Sequence, residues 1–177
     1  MRILIASDTY YPSKNGCSYS AQRLAFYLQK RGHKVLVIAP SKTIHQGFYI
    51  HNGIKIFGVR SLPVFFRDDF RLTPPLVVKR AMRKAIKEFN PEVVHIQMHF
   101  FICSTVLGIA KKLGIPVIGT NHFLPDNLTP FFHLPNRVDK LIHKLAWLHF
   151  RHIFHKLDFA TTPTKSAGDI LKTIGFK

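Results

Sequence analysis

Acidic residues are scarce in this chain. Nine Asp and Glu stand against 26 Lys and Arg over 177 residues, a formal charge of +17 with histidines neutral. That excess favours a negatively charged partner, whether phosphate groups, nucleic acid or an anionic lipid surface, and does not choose among them. Cysteine is scarce too. Cys17 and Cys103 lie far apart in no metal-ligand spacing, so reduced thiols in a cytoplasmic protein are expected. No apolar run approaches the length of a membrane span, so any membrane contact must be made at the surface. Met1-Arg2 leads straight into Ile3-Leu4-Ile5-Ala6, too short for the apolar core of a signal peptide.

Several nucleotide-binding and catalytic signatures are missing as well. The first strand-loop-helix unit has one loop glycine, Gly16, instead of a Gly-x-Gly-x-x-Gly turn. The second strand ends Ala39-Pro40-Ser41, with no acidic residue to hold a ribose. Both absences argue against a nicotinamide or flavin site. There is no Gly-x-x-x-x-Gly-Lys loop, no Gly-x-Ser-x-Gly elbow and no His-Glu-x-x-His pair. His149, His152 and His155 rotate around a helix and do not gather three ligands, so no metal site is expected. No nucleic-acid recognition motif is found, although the charge keeps a basic, non-catalytic module that binds nucleic acid or anionic surfaces as the alternative reading.

What is present is an alternation of apolar runs and helical patterns. Strands are expected at 2–6, 34–39, 54–59, 93–97, 115–120 and 159–162. Helices are expected from Ala21, Leu24, Ala25 and Leu28, with Gly32 as the stop, and at 76–89, 103–113, 136–156 and 166–174. Residues 61–75 read as irregular and aromatic, with Phe65, Phe66 and Phe70, and 121–135 as a long loop. This order predicts an α/β fold with a parallel, Rossmann-like sheet and helices on both faces. Sites in such sheets lie at the carboxyl ends of the strands, which brings together the loops 7–16, 98–101 and 121–135. Asn15-Gly16 before a helix would let a diphosphate approach the first helical N–H groups, or would be an ordinary turn. His122, on its strand-end loop, could equally be structural or functional.

An ordered set of segments carries a resemblance. It comprises 1–12 (Met-Arg-Ile-Leu-Ile-Ala-Ser-Asp-Thr-Tyr-Tyr-Pro), Asn15-Gly16, Arg23-Leu24-Ala25 and Lys30-Arg31-Gly32-His33-Lys34-Val35. It continues through Asn52-Gly53-Ile54, Ser61-Leu62-Pro63, Pro91-Glu92-Val93-Val94-His95-Ile96, Gly114-Ile115-Pro116-Val117-Ile118 and Gly119-Thr120-Asn121-His122-Phe123. Together these resemble the N-terminal domain of family 4 retaining glycosyltransferases over nearly the whole chain. The resemblance implies one half of a GT-B architecture. Residues 1–177 would be the acceptor-side domain, and a C-terminal domain outside this chain would grip a nucleotide-sugar such as a UDP- or GDP-hexose. It further implies Asn15, Gly16 and Cys17 near the donor diphosphate, and His122 as the catalytic-site residue beside the reacting sugar. Asp8, Asn121, Asp126 and Asn127 would lie on the acceptor side. No cofactor or metal is implied, and this half alone would not transfer sugar.

Arg80, Arg83, Lys84 and Lys87 fall on one face of the 76–89 helix, opposite Val78, Ala81, Met82, Ala85 and Phe89. This cationic stripe is either a solvated outer face or a dock for anionic lipid headgroups. The 136–156 helix is also basic and carries Trp147, Phe150 and Phe154, which would suit packing against another domain or a membrane. The 76–89 stripe resembles that of membrane-surface lipid glycosyltransferases such as phosphatidylinositol mannosyltransferases and diacylglycerol glucosyltransferases. The segment 121–128 is most similar to the latter group. The resemblance therefore implies a lipid acceptor and peripheral attachment to the inner face of the cell membrane.

Overall fold

The computed structural model describes residues 1–64, 67–127 and 136–176. Among them the chain runs β1 (Arg2–Ala6), α1 (Gly16–Lys30), β2 (Lys34–Pro40), β3 (Gly47–His51), β4 (Ile54–Val59), β5 (Leu62–Val64), β6 (Arg67–Leu72) and α2 (Pro75–Phe89). It continues through β7 (Val93–Ile96), α3 (Phe101–Lys112), β8 (Val117–Thr120), a 3₁₀ turn (Pro125–Asn127), α4 (Asn136–Phe154), β9 (Phe159–Thr161) and α5 (Lys165–Thr173).

The main sheet is ordered β3-β4-β2-β1-β7-β8-β9. The pairs from β4 to β9 are parallel, and β3 is antiparallel to β4. Numbered by chain order, the six parallel strands therefore lie 3-2-1-4-5-6, the doubly wound Rossmann arrangement. The expected α/β fold is present. Central strands covered on both faces have no polar side to present, and β2 accordingly reads Val-Leu-Val-Ile-Ala with each residue buried.

Two apolar layers flank the sheet. One joins β1, β2 and β4 to Ala21 and Ala25 of α1. The other joins the opposite face to Met82 and Ile86 of α2, Cys103 and Val106 of α3, Phe150 and Phe154 of α4, and Leu171 of α5. Helix ends follow local chemistry. Asn15 caps α1 by accepting from the Ser18 amide at 2.9 Å, and Gly32, at φ +82°, provides the left-handed exit.

Three sequence expectations change. The strand β3 precedes the expected Asn52-Gly53 turn, and both turn residues have positive φ, 49° and 74°, as a tight hairpin needs. A five-residue edge strand with alternating exposure gives little apolar signal, which is why periodicity misses it. The segment 61–75 is not irregular throughout, since β5 and β6 pair antiparallel within it. Phe65 and Phe66 lie outside the described residues, as does the side chain of Phe70. Finally, Phe150 and Phe154 do not wait for another domain. They are 0% and 1% exposed, stacked on each other at 4.3 Å inside this domain's own core.

Candidate active site

Strand order reverses between β1 and β7, and the crevice beyond their carboxyl ends is where doubly wound sheets bind ligands. The loop after β1 is tied down internally. Ser7 donates to the Thr9 carbonyl at 2.6 Å, and Thr9 donates to Asn15 Oδ1 at 3.1 Å. Asn15 thus holds both the loop and the first turn of α1. Gly16 opens that helix. Among the described residues a Cβ built on Gly16 meets nothing within 4 Å, and the φ of Gly16 lies outside the left-handed region. Neither packing among the described residues nor backbone strain therefore requires a glycine there. Of the first-turn N–H groups of α1, that of Ser18 is taken by Asn15, and those of Gly16 and Cys17 have no partner inside the helix.

Cys17 lies one residue deeper and is buried. Its thiol donates to the Gln97 carbonyl at 3.5 Å and lies 3.7 Å from Ser7 Oγ. Burial pushes it up to about 11, and Cys103 is raised by burial and by the neighbouring Asp8. Both thiols should therefore resist a neutral-pH alkylating or disulfide reagent in the folded chain and react once it is unfolded. Counting labelled thiols with and without denaturant checks this, and one fast-reacting thiol in the native chain would contradict it.

Gln97 is the residue that sequence reasoning passes over. It is 1% exposed at the end of β7. Its backbone carbonyl receives Cys17, and its side-chain Oε1 accepts from His122 Nε2 at 3.0 Å. One residue thereby ties the N-terminus of α1 to the imidazole on the β8 loop. With Nε2–H donated inward, Nδ1 of His122 keeps its lone pair for another partner. Burial lowers the His122 pKa, so the half-buried ring is neutral at pH 7. Beneath it, His95 meets Thr120 at 2.7 Å, and Thr120 meets Thr161 at 2.7 Å, linking β7, β8 and β9. A polar residue closing an apolar strand beside β1 is the only signal that marks Gln97 in the sequence.

The remaining site candidates are dispersed. Asp8 is buried, and Oδ1 accepts from the Ile102 amide at 2.7 Å, capping the first turn of α3. Its Oδ2 has no partner among the described residues, and burial raises the carboxyl to about 6. Asp8 also lines a small pocket with Tyr10, Tyr11, Lys42 and Arg71. Asn121 is buried, its Oδ1 accepts from the Phe123 amide at 3.2 Å, and its Nδ2 is unpartnered among the described residues. Asp126 stands apart on the exposed 3₁₀ turn, where it accepts from His143 at 2.7 Å and Trp147 at 3.2 Å of α4. Asn127 ends that turn, and its side chain is outside the described residues, as are positions 128–135.

On α2, Arg80, Arg83, Lys84 and Lys87 are all exposed, together with Lys79. Lys84 reaches Glu88 at 3.8 Å, a solvated pair that contributes little to stability. His149 and His152 make separate contacts, with the His99 carbonyl and Lys156 respectively. Among the described residues no cluster of three or more metal-ligating side chains forms, and no helix is long and apolar enough to cross a membrane.

With a Rossmann-like sheet and this strand-end geometry in place, comparison with known proteins decides the family. Residues 14–177 match Glycosyltransferase Family 4. The chain belongs to that family. It is 26% identical, over 97% of its length, to a GDP-mannose-dependent alpha-mannosyltransferase of Mycobacterium tuberculosis, covering 44% of that protein. It is 33% identical, over 82% of its length, to the alpha-monoglucosyldiacylglycerol synthase of Acholeplasma laidlawii, covering 37% of it. The chain thus spans less than half the length of these curated relatives. Its fold is shared with sucrose-phosphate synthase from Thermosynechococcus elongatus, at a TM-score of 0.66 and 10% identity, over 98% of this chain and 45% of that one. The family resemblance read from the sequence is therefore borne out, lipid-glycosyltransferase relatives included, and the domain has the fold of one half of a GT-B glycosyltransferase.

Proposed function

We propose that this family 4 domain is the acceptor-side half of a retaining glycosyltransferase that moves a hexose from a UDP- or GDP-sugar to a membrane lipid. The observation that carries the reading is the convergence at one crevice of the α1 N-terminus, the open space over Gly16, and a neutral His122 held by Gln97. When the bond between the sugar's anomeric carbon and the diphosphate oxygen breaks, negative charge builds on that oxygen. First-turn N–H groups aimed at it are pre-oriented for that charge and need not reorganise. The acceptor oxygen bonds to the anomeric carbon on the same face, and its proton leaves with the departing phosphate. His122 Nδ1 accepts from a hydroxyl of the reacting sugar. The step takes no metal or cofactor.

The names of the relatives support the substrate classes: one uses GDP-mannose and another makes glucosyldiacylglycerol. The exposed cations of α2 fit an anionic bilayer, each near-surface charge contributing about 1 kcal/mol. On this reading the enzyme works peripherally at the cytoplasmic face of the cell membrane. A second, C-terminal domain supplies the rest of the nucleotide site, and the chain alone does not transfer sugar.

The test is transfer of labelled hexose by the complete protein to diacylglycerol in anionic vesicles. His122→Ala should lower kcat/KM by about 100-fold, the scale of losing one pre-oriented hydrogen bond in the transition state. Near wild-type turnover would remove His122 from the site, and transfer to soluble acceptors alone would remove the lipid.

A further inference from the structure

The outward face of α4 is apolar. Val138, Leu141, Leu145 and Leu148 are 43%, 56%, 55% and 52% exposed. Their 3-4-3 spacing aligns them in one stripe along the helix. The cations Arg137, Lys140, Lys144 and Arg151, spaced 3-4-7, border the stripe on one side, all exposed. The helix carries one acid, Asp139. Its inward face is fully committed: Phe150, Ile153 and Phe154 are core, and Trp147 packs on Phe150 at 5.5 Å. The exposed leucines are therefore not a spare part of the domain's own core.

We propose that this stripe inserts into the interfacial layer of an anionic bilayer, giving the domain an apolar anchor separate from the cationic stripe of α2. The inference builds on the membrane reading above and extends it to a second element. Charge decides the occupant. Self-association through the stripe would bring bordering cations of two copies together on a chain of net charge +17. Anionic headgroups neutralise those cations while the leucines enter the acyl boundary, the arrangement of an interfacial amphipathic helix. Helices α2 and α4 also join the same apolar layer, so they cover the same side of the sheet. Cations on α2 and leucines on α4 can thus meet one surface at once.

Vesicles of phosphatidylglycerol and phosphatidylcholine test this with the complete protein, where a second domain seated on the stripe would leave the leucine changes without effect on binding and overturn the proposal. The triple change Leu141→Asn, Leu145→Asn and Leu148→Asn alters exposed positions only and should leave the unfolding temperature within a few degrees. It should weaken binding at least tenfold, most visibly at high salt. Trp147 is the only tryptophan of these 177 residues and lies on α4. Acyl-brominated lipid should quench its emission in the wild type and much less in the triple variant. Replacing Arg80, Arg83, Lys84 and Lys87 with Gln should instead weaken the salt-sensitive part of binding. Equal binding and equal quenching in wild type and leucine variant would overturn the proposal. So would concentration-dependent dimerisation abolished by the leucine changes. If the complete enzyme served only soluble acceptors while Trp147 was still quenched, the lipid-acceptor reading would fall and the anchor would stand.

Discussion

Gly16→Ala should leave the fold intact and remove most sugar transfer from the complete enzyme. The two halves of that outcome have separate physical origins. Among the described residues nothing lies within 4 Å of the added methyl, and the backbone at Gly16 does not need glycine. Position 16 is the first residue of α1, where alanine is the better helix former by up to about 1 kcal/mol. Unfolding should therefore shift slightly upward or not at all. Transfer is different on the proposed function, in which the diphosphate approaches the α1 N-terminus through the space over Gly16. A methyl there holds the departing oxygen away from the N–H groups when charge develops. Losing one such interaction typically costs about 100-fold in kcat, and Gly16→Val should cost more. Thermal unfolding and steady-state transfer on the same preparation check both halves. Unchanged kcat in a folded Gly16→Val enzyme would mean that the diphosphate does not pass this point.

The second large effect concerns acid stability and rests on His99. This ring is 3% exposed, set edge-on to Phe150 at 5.1 Å and 4.4 Å from Phe100, with Nδ1 unpartnered among the described residues. Burial, with nearby His149, lowers its pKa from 6.5 to about 3. The folded chain therefore keeps His99 neutral where the unfolded chain protonates it. The resulting stabilisation is complete above pH 6.5 and is lost as pH falls towards 3, on the order of 4 kcal/mol in all. His95, lowered to about 4 mainly by burial, acts in the same direction. Asp8 acts oppositely. Its carboxyl is raised from 3.8 to about 6, so it detracts from stability as pH rises through that window, by about 3 kcal/mol at most. The two histidines outweigh it, so stability should fall as pH drops below 6.5. His99→Phe should move the acid midpoint down by about one pH unit while changing neutral stability by less than about 2 kcal/mol. Denaturant titrations from pH 4 to 8 measure this. An unchanged acid midpoint in the variant would show that His99 is not the group that titrates.

Much of the fold was legible because parallel strands buried on both faces must be apolar throughout. The runs at β1, β2, β4 and β7 therefore stood out, and Gly32 and Asn90 punctuated the helices between them. The order of segments from Met1 to Phe123 was enough to name the family. It also put Gly16 and His122 on strand-end loops, because a Rossmann-like sheet leaves few other places for them.

Tertiary structure decided the rest, in each case because the answer depends on a neighbour far along the chain. β3 exists by pairing with β4, and its own alternating residues carry little signal. Asp8 is committed to an amide 94 residues away, at the start of α3. Gln97 looked like the end of a strand until Cys17 and His122, from two other segments, were found bonded to it. The sequence of α4 shows leucines, a tryptophan and phenylalanines with nothing to rank them. Only packing into the shared apolar layer, with His99 against both rings, turns the phenylalanines inward and leaves the leucines facing out. Composition and order along the chain determined which family this is. Contacts between distant segments determined which of its residues are held in place and which are left to meet a partner.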